Sequence, residues 1–167
     1  NTTDFRLFNL NWGTKSTANA TEKRCDEFDK TLANYNKQLY RVLVAAEEQD
    51  IVYAVNSSGA YNMNDYIAFS GGIAWAVATL VRPESIGNSI VTVTYEDVLR
   101  FSETLYKNYA NLSDAVLVKT IRNESIPGDA AGKEIRRVHQ VFDQRSLMAG
   151  TGLLMKIMRQ FKSIYET

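Results

Sequence analysis

Chemistry needs titratable or nucleophilic side chains in matched sets, and this chain has few. Its only cysteine is Cys25 and its only histidine is His139. Cys25 stands beside Lys23 and Arg24, a setting that lowers a thiol pKa. No base or resolving thiol goes with it, so it reads as a small inert residue. His139 lies in Lys-Glu-Ile-Arg-Arg-Val-His-Gln, residues 133–140, and no triad-like partner can be assigned to it. A single Cys and a single His leave no internal disulfide and no Cys/His zinc set. The acidic clusters Asp26/Glu27/Asp29 and Glu47/Glu48/Asp50 lack EF-hand spacing and read as solvated helix faces. The second falls at an expected helix C-terminus, where acids oppose the helix dipole; a basic partner surface would relieve that conflict. Ser70-Gly71-Gly72 and Gly150-Thr151-Gly152 are bends without phosphate-loop spacing. The expectation is a chain with no catalytic residues, no metal and no cofactor.

Charge distribution is more informative. The 167 residues carry 19 basic and 19 acidic side chains, a formal net charge of zero. That balance excludes a globally basic binder and leaves local patches open. From Ala130 onward seven basic residues face three acidic ones, a net +4 against −4 for residues 1–129. Arg136, Arg137, Arg145, Arg159 and Lys162 alternate with Val138, Phe142, Leu147, Leu153, Leu154, Ile157, Met158 and Phe161. Such helices have one apolar and one basic face. The basic face can neutralise nucleic-acid phosphates, or it can pair with the acidic part of the same fold.

The elements that would carry these residues are mostly helices. Residues 1–20 are rich in Asn and Thr, with one apolar knot at Phe5-Arg6-Leu7-Phe8. They read as an extended arm, either folded on its own core or docked on a neighbour through Phe5, Leu7 and Phe8. A helical domain then fills residues 21–167. Thr21 is the expected N-cap of a helix over about 21–48. Phe28, Leu32, Tyr35, Leu39, Val42 and Ala46 form its stripe. The runs 51–55 and 90–94 are rich in β-branched residues and could pair as a short ribbon. Thr94 with Asp97 is a capping-box start for a helix whose face is Val98, Phe101, Leu105 and Tyr109. Ser113 caps a short helix through Val116, Leu117 and Ile121. Residues 129–164 read as one or two helices broken at Gly150-Thr151-Gly152. Asn-x-Ser/Thr triplets begin at Asn1, Asn19, Asn56, Asn111 and Asn123; they would accept glycans in a secreted chain, and these residue types also gather at turns and caps.

One segment stands apart. Tyr66 to Val81 is an uncharged run of sixteen residues. A helix capped at Asn64 or Asp65 and ended by Arg82-Pro83 would be apolar all round and therefore buried on every side. It would span about 24 Å, short of the ~30 Å of a bilayer core. Ala68, Gly72 and Ala76 would give it a small-residue stripe for close packing, with Phe69 and Trp75 offered to the core or to another subunit.

The expected fold is mainly α: a single helical bundle domain with an extended N-terminal arm and at most a short two-stranded β ribbon. In composition the chain resembles helical viral coat or nucleocapsid subunits, being charge-balanced, Asn-rich, and furnished with an arm and a basic end. The likeness is one of fold and assigns no residue a role. The expected function is a non-enzymatic, self-assembling structural protein, a homo-oligomer in a virion or the cytoplasm. Single-stranded nucleic acid would lie on Arg136, Arg137, Arg145, Arg159 and Lys162. The alternative is a helical regulatory or scaffolding module without nucleic acid.

Overall fold

The computed structural model describes residues 10, 12–57, 66–121 and 128–166. They form a mainly α domain, with no strand among them. In order these are α1 (Thr14–Arg24), α2 (Leu32–Ala46), a π-helical turn (Glu47–Ile51), α3 (Val52–Ser57), α4 (Gly72–Val81), α5 (Tyr95–Lys107), α6 (Asp114–Thr120), α7 (Gly128–Val141) and α8 (Gln144–Glu166). Short 3-10 turns at Pro83–Ser85 and Tyr109–Leu112 link α4 to α5 and α5 to α6.

The axis of the domain is α8. It packs on α1, α2, α4 and α5, and it buries Leu147, Leu153, Leu154, Ile157 and Phe161. Each such side chain contributes on the order of 2 kcal/mol when removed from water. The centre is therefore the basic C-terminal helix and not the uncharged run. Nor is α8 broken at Gly150-Thr151-Gly152, which lie inside it. Those glycines admit neighbours: a Cβ on Gly152 would fall 2.5 Å from Leu43 Cδ1. The break comes earlier, at Phe142-Asp143, where the Asp143 carboxylate accepts the Ser146 amide at 2.8 Å. An Asp there satisfies an orphan N–H of the new helix.

The uncharged run divides at Gly71, whose φ of 115° disfavours any residue with a Cβ. Only Gly72–Val81 is helical, ending at Arg82-Pro83 as the sequence requires. Ala76, Val77, Thr79 and Leu80 are buried. Tyr66–Ser70 are irregular, and Tyr66 and Ala68 are exposed, so no Ala68/Gly72/Ala76 helical stripe exists. Phe69 and Trp75 are half-buried against the core. Among the described residues no helix is long and apolar enough to cross a membrane. The expected caps Asn64 and Asp65 lie outside the described residues.

The N-terminal expectations shift most. Helix α1 begins at Thr14, so residues 14–20 are helical, and Thr21 is buried inside α1 and caps nothing. The 21–48 helix is interrupted over 25–31. Asp26 accepts the Phe28 amide at 3.0 Å, and Asp29 accepts the Thr31 hydroxyl at 2.7 Å. These local bonds compete with helix, and Thr31 becomes the N-cap of α2 by accepting the Asn34 amide. Phe28 leaves the stripe and is 95% exposed, whereas Tyr35, Leu39, Val42 and Ala46 are buried as expected. Residues 51–55 continue the helical rod, and 90–94 are irregular, so no ribbon forms. The Thr94/Asp97 capping box is present, and Val98, Phe101 and Leu105 are buried. Tyr109 lies beyond the end of α5, in the following 3-10 turn. Ser113 caps α6, its hydroxyl accepting the Val116 amide. Of the arm residues, Phe5, Leu7 and Phe8 lie outside the described residues.

Candidate nucleic-acid interface

The five predicted cations do not form one patch. Arg136 and Arg137 are on α7, Arg145 is in the first turn of α8, and Arg159 and Lys162 are near its other end. Arg145 and Arg159 are about 21 Å apart along the axis at ~1.5 Å per residue.

Four of the five are engaged within the chain. Arg136 pairs with Asp114, and Arg137 pairs with Glu134 at 3.2 Å while lying 5.5 Å over the Trp75 ring. The Trp75 indole N–H donates to the same Glu134 at 2.8 Å. Arg145 donates to the Lys30 carbonyl at 2.6 Å and faces Glu22 at 3.9 Å. Lys162 pairs with Glu96 at 3.3 Å and sits 5.5 Å over the Tyr95 ring. Arg159 is exposed, with no hydrogen bond or ion pair among the described residues.

Arg159 instead borders a groove. Helices α2 and α5 each pack on α8, and between them lies a cavity of about 430 Å³. Its floor is apolar, made by Leu39, Leu43, Leu105, Met148 and Met155. Its rim carries Tyr40, Tyr95 and Tyr106 together with Lys107, Lys156 and Arg159. Lys156 pairs with Glu47 at 2.9 Å and lies 5.9 Å from the Tyr40 ring centroid. Thus Lys156 and Arg159 are neighbours on α8 facing the groove, and Lys162 lies a turn further on beside Tyr95 of α5. Tyr40, Tyr95, Tyr106, Lys107 and Lys156 were not among the sequence candidates. A signal for them exists: Tyr95, Leu99, Ser102 and Tyr106 form a second stripe on α5 beside the core stripe. A face that wide exceeds what one core contact needs.

The remaining reactive groups have structural partners. His139 Nε2 meets the Leu112 carbonyl at 2.6 Å, and Nδ1 meets the Tyr109 hydroxyl at 3.0 Å. A carbonyl only accepts, so the tautomer with its proton on Nε2 satisfies both contacts. Burial, reinforced by the Glu22 carboxylate, pushes the Cys25 thiol up. That direction suits the inert thiol expected of Cys25. Asp50 is buried and accepts the Trp12 amide at 3.4 Å. The basic partner called for by the Glu47 cluster is Lys156 of the same chain. Among the described residues no three His, Cys, Asp or Glu side chains gather in a way that could hold a metal.

The arrangement offers aromatic faces, an apolar floor and cations at the rim, which suits stacking and anion contact. Compared with known proteins, the chain matches no protein-family model, no curated protein and no solved structure.

Proposed function

We propose that the protein is a non-enzymatic helical structural subunit that assembles with copies of itself and holds single-stranded nucleic acid along the α2/α5/α8 groove. The observation that carries this reading is the interleaving of Tyr40, Tyr95 and Tyr106 with Lys107, Lys156 and Arg159 at one rim. Bases stack on aromatic side chains with about 1–3 kcal/mol each, and cations track the backbone. Arg159 and Lys107 are exposed and pair with no carboxylate among the described residues, so they would engage phosphate first. The reading keeps Arg159 and Lys162 at the interface and moves Arg136, Arg137 and Arg145 to structural roles. Assembly is supported by large apolar side chains left in water, among them Phe28, Tyr66 and Ile90.

Binding of a labelled single-stranded oligonucleotide, titrated against salt, tests it. Two phosphate contacts give a log–log salt slope of about −1.4, rising to about −2.8 if Lys156 and Lys162 also engage. Affinity indifferent to salt removes the nucleic-acid half of the proposal.

One observation favours a second reading. Arg136, Arg137, Arg145 and Lys162 are already matched to the chain's own acceptors. The floor of Leu and Met side chains would also suit an amphipathic helix from a protein partner. On that reading the protein is a scaffolding module, and the oligonucleotide leaves the groove tyrosines unperturbed.

A further inference from the structure

Phosphate contact and stacking use the rim of the α2/α5/α8 groove and leave its floor without a role. The two ends of the groove differ. Gln144 at the start of α8 donates to the Leu105 carbonyl at 2.7 Å, and Lys162 near its end pairs with Glu96 at 3.3 Å, so α5 runs antiparallel to α8. The Tyr35 hydroxyl meets the Arg145 carbonyl and Glu47 meets Lys156, so α2 runs parallel to it. Along α8 the groove extends from Met148 to Arg159, about 16 Å at ~1.5 Å per residue. Met148 and Met155 lie along it, and Lys156 and Arg159 close one end.

The wall from α5 is also apolar. Leu99 lines it and is 40% exposed, a large aliphatic side chain left in water. Ser102 on the same wall donates its hydroxyl to the Leu99 carbonyl at 2.7 Å, so its donor is spent on the helix itself. The two methionines are unbranched and adapt to whatever lies against them. The cavity of about 430 Å³ falls within the range of small-molecule sites, about 300–1,000 Å³.

Charge separates the ends further. Lys156 is matched by Glu47 at 2.9 Å and Lys162 by Glu96. Arg159 is exposed and pairs with no carboxylate among the described residues. One positive charge is therefore left over at this end, which balances a monoanion. A guanidinium also presents a planar fork that meets a carboxylate with two parallel hydrogen bonds. At the Met148 end Lys107 stands one turn from Glu103 on α5, so that end carries no net charge.

We propose that the groove binds a free single-chain aliphatic carboxylate, its chain laid along Leu99, Met155 and Met148 and its carboxylate held by Arg159. Apolar length ending in one unmatched positive charge selects this occupant. The inference goes beyond the nucleic-acid reading and does not depend on it.

Calorimetric titration of the full chain with octanoate, decanoate and dodecanoate, each below its micelle concentration, tests it. Each methylene that reaches the floor should tighten binding about fourfold. Decanol, which has the tail without the charge, should bind at least about tenfold more weakly than decanoate. Arg159→Gln should remove that difference. Ser102→Trp places a ring across the path of the chain and should abolish binding of both; Leu99→Gln, on the same wall, should weaken both. Thermal melts show that each variant is folded. Affinity independent of chain length, decanol binding as tightly as decanoate, or both wall variants binding like the parent overturns the proposal. Tyrosine fluorescence that shifts with an oligonucleotide, or on raising the protein concentration, and not with dodecanoate overturns it in favour of those occupants. A shift with dodecanoate and none with an oligonucleotide supports it and removes the nucleic-acid reading.

Discussion

The Tyr35 hydroxyl donates to the main-chain carbonyl of Arg145 at 3.1 Å, while the Arg145 guanidinium lies 5.1 Å over the Tyr35 ring. One pair thus closes α2 onto the start of α8. The guanidinium also reaches the Lys30 carbonyl, so it fastens the link before α2. Burial holds the Tyr35 phenol well above its ordinary range, with Glu22 adding to the effect. The phenol therefore stays a donor throughout the working pH range.

Removing only the hydroxyl by Tyr35→Phe should cost about 1–2 kcal/mol, since the Arg145 carbonyl then loses its partner. Tyr35→Ala should cost about 3–5 kcal/mol, because a fully buried ring is lost as well. Urea unfolding midpoints measure both. Near-equal losses for the two variants would contradict a packed ring at this site.

Asp97 gives a pH signature. Its carboxylate accepts the Thr94 amide at 3.0 Å and pairs with Arg82 and Arg100, each at 2.6 Å. The Thr94 amide foremost, with the two guanidiniums, holds its pKa below the usual carboxylate range despite burial. The unfolded chain therefore takes up the proton first as pH falls. Asp97's contribution is complete above the ordinary carboxylate pKa and is lost as pH drops through the folded value. Asp97→Asn should lower stability at pH 7 by about 1–2 kcal/mol, and the gap to the parent should shrink below about pH 4. A gap that stays constant down to pH 2 contradicts this account.

Gly71 sits at φ 115° and ψ 178°, ahead of α4, with nothing within 4 Å of where a Cβ would be. The cost of Gly71→Ala is therefore backbone strain alone, about 1–3 kcal/mol. Thermal melts should show the drop. No loss would mean that the turn relaxes without penalty.

Legibility of the fold followed the range of the forces involved. The capping box at Thr94/Asp97 and the stripe Val98, Phe101, Leu105 are local signals, and they read correctly. So did the stop at Arg82-Pro83. The break at 25–31 was hidden because Phe28 fits the spacing of the α2 stripe, while the Asp26 and Asp29 side chains redirect the backbone. Gly150 and Gly152 looked like a break because glycine weakens helices. Their real use is tertiary: they let Thr14 and Leu43 come close to α8. The candidate site was half legible. Charge counting had singled out Arg159, which lines the groove, but three helices assemble that groove, and no linear pattern places Tyr40 of α2 beside Lys156 of α8.

The groove account makes its sharpest claim about which cations matter. Lys107→Glu with Arg159→Glu alters two rim residues, whereas Arg136→Glu with Arg137→Glu alters two α7 residues outside the groove, paired with Asp114 and Glu134. Kd for a single-stranded oligonucleotide, measured across salt for both double variants, separates them. The account predicts that the rim variant loses at least about tenfold in affinity and most of its salt slope, while the α7 variant keeps the parental slope. Equal losses in both, or a rim variant that binds like the parent, would contradict it.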